Sequence, residues 1–145
     1  MGLFTSFNIN ASGMTAQRLR SDTISANIAN VNTTNTGDGT PYRRKTVVFT
    51  EKGTSTFNNK LLTAQGYVGS GVKVSAIVED TETEMNKVYD PAHPDADEDG
   101  YVTYPNVNIV TEMTNMIDAS RAYEANVTAF GASKAMALKG LEIGK

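Results

Sequence analysis

The residues best suited to carry chemistry form the acidic run 95–100, whose sequence is DADEDG. Aspartates at its first, third and fifth positions and a glycine at its sixth match the first half of an EF-hand calcium loop. The second half does not match, because position twelve is Asn106, which cannot supply a bidentate carboxylate. Pro91 and Pro94 also argue against a helix entering the loop. We therefore expect an acidic, solvent-facing turn closed by Gly100, with calcium-dependent binding as the alternative.

Two other groups of reactive side chains are weaker candidates. His93 is the single histidine of a chain without cysteine, so it cannot complete a closed zinc site, and no neighbouring serine or aspartate suggests a triad. The run Arg43-Arg44-Lys45 could contact nucleic acid or phospholipid. Because it leads directly into a predicted strand, a solvated strand edge or a protein–protein contact is favoured. We expect His93 to be structural and no residue to be catalytic.

Composition and charge exclude several classes of function. The 145 residues carry a formal net charge of -3 and no cysteine, which excludes a general nucleic-acid-binding field and disulfides. No run approaches the roughly 18 apolar residues of a membrane span, and the N-terminus lacks the pattern of a cleaved signal peptide. Residues 41–78 hold six bases and one acid, whereas 79–100 hold nine acids and one base. This segregation suits either charge-complementary subunits or a solvated surface.

Two amphipathic helices are predicted at the ends of the chain. In segment 1–36, apolar side chains recur at steps of three and four residues to about Val31, after which Asn, Thr and Gly predict a break. In segment 106–145 the same steps continue for roughly 35 residues, which corresponds to about 50 Å of helix. An apolar stripe of this length needs another helix beside it.

The start of the C-terminal helix is marked by its first residues. Pro105 precedes it, and either Asn106 or Asn108 can cap it. Glu112 lies in an early turn, where a negative charge favours the helix dipole.

The middle segment, 37–105, is predicted to be a β-rich or loop region. Thr46–Thr50 is rich in β-branched and aromatic residues, and Gly71–Val78 begins with alternating apolar and polar residues, so both are typical of strands. The predicted fold class is therefore α+β. Long N- and C-terminal helices pair as an antiparallel coiled coil, with a small β-rich or loop insertion between them.

Several sequence blocks resemble the flagellar rod and hook proteins. Residues 10–18 (NASGMTAQR) and 25–34 (SANIANVNTT) are similar to the N-terminal signature of this axial family. The stretch 89–102 (YDPAHPDADEDGYV), continued by PNVN at 105–108, resembles the signature of the FlgC type in the proximal rod. SRAYEANV at 120–127 looks like part of the family's C-terminal helix.

The resemblance implies a structural rod subunit that transmits torque and has neither enzymatic activity nor a cofactor. It also implies export, unfolded and without a cleaved signal, by the flagellar type III apparatus to a rod in the periplasm. The implied partners are copies of itself, other rod proteins of the FlgB, FlgF and FlgG types, and FliE; contact with the MS ring is left open. Nucleic acid and small-molecule substrates are not expected. Gly131 departs from the better helix former expected there.

Assembly should depend on the terminal helices. We expect their apolar stripes to face each other within the subunit, and their free ends to stay largely disordered until neighbours cover them. The competing interpretations are a calcium-dependent binding module and a secreted coiled-coil effector. The predicted assembly interface consists of Phe7, Met14, Ile24, Asn27, Ile28, Asn30, Ile109, Met113, Met116, Tyr123, Val127, Phe130 and Leu141.

Overall fold

Two long helices at the ends of the chain enclose four short strands. The structure, a computed structural model, describes residues 3–53, 61, 64 and 69–143, so each of the three predicted segments includes some residues outside this description. The elements in chain order are α1 (Leu3–Ala29), β1 (Lys45–Glu51), β2 (Val72–Glu79), β3 (Asn86–Tyr89), β4 (Tyr101–Tyr104) and α2 (Ile109–Ile143). The predicted α+β class is confirmed.

The two helices lie side by side and run in opposite directions. Near the start of α1, the ring of Phe7 packs edge-on against Phe130, with 4.9 Å between the ring centroids. At the end of α1, Asn27 donates a hydrogen bond to Glu112 at the start of α2. Because residue numbers fall along α2 as they rise along α1, the predicted antiparallel pairing is confirmed.

The face of α2 that lies against α1 differs from the predicted one. On this face, small and polar side chains recur every seven residues. Three of them, Glu112, Ala119 and Ser133, are buried, and Asn126 is half-buried. The prediction of packing against α1 was wrong for four apolar side chains that are 40% to 56% exposed: Ile109, Met113, Tyr123 and Val127. Successive helical residues are about 100° apart, so an error of one position turns a side chain away from its expected partner.

Glycine explains how closely the two helices approach each other. A Cβ atom added at Gly13 of α1 would lie 2.6 Å from Oδ1 of Asn126, whose Nδ2 donates a hydrogen bond to the carbonyl of Ala122. The missing side chain therefore leaves room for the Asn126 amide. By contrast, a Cβ atom added at Gly131 would meet nothing within 4 Å.

The strands form two separate antiparallel pairs. β1 pairs with β2 in a register that places Lys45 opposite Glu79, with a bulge between Val48 and Phe49. These two strands were predicted to within a residue at each end. β3 pairs with β4, and neither was predicted as a strand. Each is only four residues long, too short to establish a period of two.

The apolar core is small and the buried set includes polar residues. In the part of the chain that the structure describes, the buried apolar side chains are Ala16, Ile24, Tyr42, Val102 and Ala119. Thr23, Asn27, Glu112 and Ser133 are buried with them. None of the described helices has the length and apolar content of a bilayer span.

Of the two asparagines predicted as caps, Asn108 caps α2. Its Oδ1 accepts hydrogen bonds from the backbone N–H groups of Val110, at 2.9 Å, and Thr111, at 3.2 Å. These are two of the N–H groups that have no partner within the helix. Asn106 is therefore available for a different contact.

Candidate assembly surface and polar junction

The Asn27 side chain joins three parts of the molecule. Its Nδ2 donates hydrogen bonds to the carbonyl of Lys45 and to Oε2 of Glu112, and its Oδ1 accepts from the Lys45 N–H and the Tyr42 hydroxyl. All four distances are 2.9 Å. Two donated and two accepted bonds use the full capacity of an amide. Asn27, which is fully buried, therefore leaves none of its polar atoms without a partner.

Glu112 is the charged member of the same cluster. Only 1% of the residue is exposed, yet both carboxylate oxygens have donors. Oε2 accepts from Asn27, and Oε1 accepts from Nε of Arg44 at 2.9 Å. A buried carboxylate is tolerated when a cation and hydrogen bonds replace water in this way. Arg44 therefore bonds within its own chain and does not stand free at a solvated strand edge, and the alternative of a protein–protein contact for the basic run stays a prediction.

Asn106 extends the cluster to the end of β2. Its Oδ1 accepts the Arg44 N–H at 2.9 Å, and its Nδ2 donates to the Asp80 carbonyl at 3.0 Å. The pKa of the Asp80 carboxyl is lowered, chiefly by hydrogen bonds from the backbone and side chain of Thr83, with a smaller contribution from Arg44. We call Asn27, Tyr42, Arg44, Asn106 and Glu112 the polar junction.

Burial also affects the tyrosine of the polar junction. The pKa of Tyr42 is raised from its ordinary value of 10.0, first because burial disfavours the phenolate and then because Glu79 and Glu112 are negatively charged. The hydroxyl therefore keeps the proton that it donates to Asn27.

The exposed side of α2 carries a second feature, which we call the outer stripe. Its six apolar side chains are 44% to 74% exposed: Val110, Met113, Ile117, Val127, Leu138 and Leu141. They recur on the side of the helix that does not face α1. Glu124 and Lys134 interrupt the outer stripe, seven residues after Ile117 and Val127 respectively. Groups of exposed apolar side chains of this kind are candidate protein contact sites.

The predicted interface residues divide between these two environments. Five of them are exposed on α2: Ile109, Met113, Tyr123, Val127 and Leu141. Eight are buried or half-buried by their own chain: Phe7, Met14, Ile24, Asn27, Ile28, Asn30, Met116 and Phe130. Of the second set, the structure brings Phe7 and Phe130 together across the two helices, whereas the first set is exposed.

The acidic run forms the expected turn. Gly100 has a φ angle of +81°, and Oδ1 of Asp97 accepts the Tyr101 N–H at 2.8 Å. The Asp95 N–H donates to Nδ1 of His93, which gives that histidine a structural contact. Within the described residues, no three histidine, aspartate or glutamate side chains are grouped in a way that could hold a metal ion.

Four residues of the polar junction were missing from the predicted site: Tyr42, Arg44, Asn106 and Glu112. Their contacts join parts of the chain that are far apart in sequence, such as Arg44 and Glu112, and no local pattern reports them. One signal was available. Glu112 begins a series of small and polar residues that recurs every seven residues through Ala119 and on along α2. The pattern of apolar side chains does not include this series.

Comparisons with known proteins agree with this arrangement of terminal helices. The family profile described as "Flagella basal body rod protein" matches residues 7–35, and that described as "Flagellar basal body rod FlgEFG protein C-terminal" matches residues 98–143. These two matches cover most of α1 and all of α2.

Relatives that are similar along the full chain carry a more specific name. The flagellar basal-body rod protein FlgC of Bacillus subtilis is 48% identical over 151 residues, which span 100% of both chains. FlgC of Borreliella burgdorferi is 47% identical over 99% of this chain and 98% of its own. FlgC of Salmonella typhimurium is 39% identical over 100% of both. The chain therefore belongs to the FlgC family of flagellar basal-body rod proteins.

Proposed function

We propose that this structural subunit of the basal-body rod binds its neighbours through the outer stripe of α2. The observation that carries the proposal is the exposure of six apolar side chains along a 35-residue helix whose opposite face already covers α1. Leaving such a row in water is unfavourable, and a neighbouring subunit can cover it. Contacts that join different faces of identical or related subunits, without closing a ring, generate a helical rod.

The covered residues of the predicted interface have an indirect role in this proposal. Asn27 and the half-buried aromatic pair Phe7 and Phe130 hold α1 against α2, and so present the outer stripe on a stiff support. Segments 1–36 and 106–145 then form the assembly core, and segment 37–105 is an insertion carried beside it.

Family membership and the segregated charges support more specific proposals. The neighbours are copies of this chain, rod proteins of the FlgB, FlgF and FlgG types, and FliE, with the MS ring as a further contact. The subunit reaches the periplasmic rod by flagellar type III export without a cleaved signal, transmits torque there, and catalyses no reaction. Its acid-rich and base-rich regions favour ordered contacts between unlike surfaces.

A charge placed on the outer stripe tests the central proposal. Ile117→Asp should prevent incorporation into basal bodies, because a carboxylate would be buried at the subunit contact without a partner. The matched control is Ala129→Asp, at an exposed position about 120° away around α2. Each variant replaces the chain in a flagellated bacterium, and its content in purified basal bodies is measured together with swimming.

The two outcomes are distinct. We expect the Ile117→Asp protein to be as helical as the parent by circular dichroism, yet absent from basal bodies, whereas Ala129→Asp is incorporated. Normal incorporation and swimming with Ile117→Asp would show that the outer stripe is not the contact surface.

A further inference from the structure

We propose that the hydrogen-bonded pair Asn27–Glu112 is a register lock, which fixes how far α2 is displaced along α1. The pair joins the last turn of one helix to the first turn of the other. The position of α2 along α1 decides where the outer stripe is presented to neighbours. The lock thus determines the geometry of the assembly surface without belonging to it.

The rest of the contact between the helices combines small side chains with larger ones. On α2, Ala119 and Ser133 lie fourteen residues apart on one line with Ala122 beside them, and the larger Met116, Asn126 and Phe130 are half-buried. On α1, Ala16 and Thr23 are seven residues apart and are both buried. A displacement by seven residues exchanges Ala16 for Thr23 at little change in size, although it takes Asn126 away from Gly13 and Phe130 away from Phe7. Apolar contacts have no preferred direction.

Hydrogen bonds at the end of the pair do have a preferred position. A displacement of one turn, about 5.4 Å, separates Asn27 from Glu112 and breaks a bond of 2.9 Å. Oε2 of Glu112 would then lose its donor, and one buried N–H of the Asn27 amide would lose its acceptor, a costly state in a low-dielectric environment. A single buried polar contact can select one register among several similar ones for this reason.

The side chains of Asn27 and Glu112 also connect the helix pair to the start of β1. Asn27 bonds both the N–H and the carbonyl of Lys45, and the second oxygen of Glu112 bonds Arg44. Displacement of α2 along α1 would therefore also break the hydrogen bond between Glu112 and Arg44, the residue that precedes β1. An isolated contact between helix surfaces would lack this second restraint.

Cysteine pairs can report the register, because the chain has no cysteine of its own. The native pair is Gly13→Cys with Asn126→Cys, since these residues touch across the helices. The displaced pairs join Gly13→Cys to Ala119→Cys or to Ser133→Cys, seven residues either way along α2. Each displaced pair also carries Asn126→Ala, which removes the amide that a side chain at position 13 would meet.

Disulfide formation is measured in the full chain, with the lock intact and with Asn27→Leu and Glu112→Leu combined. With the lock intact, we expect only the native pair to cross-link readily. Without it, we expect at least one displaced pair to cross-link ten-fold faster or more. Thr23→Ala is the matched control, because it removes a buried hydroxyl that bonds only within α1, and it should leave the native pair dominant.

The result can overturn the proposal in either of two ways. A helical Leu–Leu variant whose displaced pairs cross-link no faster than those of the parent shows that other contacts set the register. If that variant loses its helical circular dichroism signal, Asn27→Ala, which keeps the Glu112–Arg44 pair, serves instead. Unchanged displaced cross-linking in Asn27→Ala would equally refute the lock, and a clear increase would support it.

Discussion

The Glu112 carboxylate can be buried because each of its oxygens accepts a hydrogen bond. Asn27 donates to Oε2, and Arg44 donates to Oε1, with a longer bond from Asn115 to the same oxygen. The Arg44 side chain is itself 27% exposed, so that it keeps some of its hydration. Such a group adds little net stability compared with an apolar one, but its partners depend on it. The loss of Asn27 would leave Oε2 without a donor, and the loss of Arg44 would leave the buried carboxylate without its cation.

Removal of the carboxylate should therefore be costly. We expect Glu112→Ala to lower the free energy of unfolding by about 3 kcal/mol, because Arg44 and Asn27 both lose an acceptor. Urea denaturation followed by circular dichroism measures this change. Glu142→Ala is the control: it breaks an exposed ion pair with Lys139 and should cost about 0.5 kcal/mol or less. Equal effects of the two substitutions would contradict a special role for Glu112.

Tyr42 should make stability depend on alkaline pH. Its pKa is higher in the folded chain than its ordinary value of 10.0, so the folded state holds the phenol proton more tightly than the unfolded state does. The resulting stabilisation is complete below pH 10.0 and declines as pH rises toward the folded pKa. Urea denaturation of the parent and of Tyr42→Phe, at pH 8 and pH 11, measures the difference.

The phenylalanine variant separates this residue from the other groups that titrate in the same range. It lacks the hydroxyl that bonds Asn27, so we expect it to be about 1 kcal/mol less stable than the parent at pH 8. That difference should shrink at pH 11. A difference that is constant or grows with pH would contradict the raised pKa of Tyr42.

Some features of α2 could be predicted from the sequence and others could not. Its length, its start after Pro105 and its cap at Asn108 follow from local patterns that one helix satisfies by itself. The face of α2 that packs against α1 does not follow from such local patterns. The apolar side chains were the natural candidates, but small residues and Asn126 opposite Gly13 occupy part of that face, and four of the predicted apolar side chains remain exposed.

The polar junction could not be derived from the sequence for a related reason. Asn27 and Glu112 are 85 residues apart, and their contact exists only once both helices and β1 are in place. Local sequence analysis did identify Asn27 as important, through the resemblance to rod proteins, but it gave Glu112 only a role in the helix dipole. Long-range hydrogen bonds have no period along the chain from which they could be predicted.

Gly13 and Gly131, two of the glycines in the helix pair, should respond differently to alanine. Gly131→Ala should raise the free energy of unfolding by about 1 kcal/mol, because alanine favours the helix and its Cβ meets nothing. Gly13→Ala should gain less or lose stability, since its Cβ would crowd Asn126. Adding Asn126→Ala should restore the gain. A double-mutant cycle by urea denaturation measures the coupling, and the absence of coupling between positions 13 and 126 would contradict the close approach.

For the whole molecule, order should be concentrated near the polar junction. The apolar core is small, whereas the hydrogen bonds of Asn27 and Glu112 lie at one end of the helix pair. We expect amides in residues 20–28 and 110–119 to exchange with deuterium more slowly than those in residues 5–11 and 134–143. Hydrogen exchange of the free subunit, followed by mass spectrometry, measures this gradient.

Uniform protection along α2 would contradict that expectation and would mean that the helix pair is stable without neighbours. A steep gradient would agree with ends that become ordered only on assembly. The disorder of the free ends remains a prediction.

The side-chain amide of Asn27 has a further consequence for a protein that assembles into a rod. It bonds the N–H and the carbonyl of Lys45, as a neighbouring strand would, and so occupies the outer edge of β1 where that strand begins. The bulge between Val48 and Phe49 interrupts the regular spacing further along the same strand. An incoming strand from a second molecule therefore finds no continuous row of free backbone groups on β1, and edge-to-edge aggregation is discouraged while association through helices stays open.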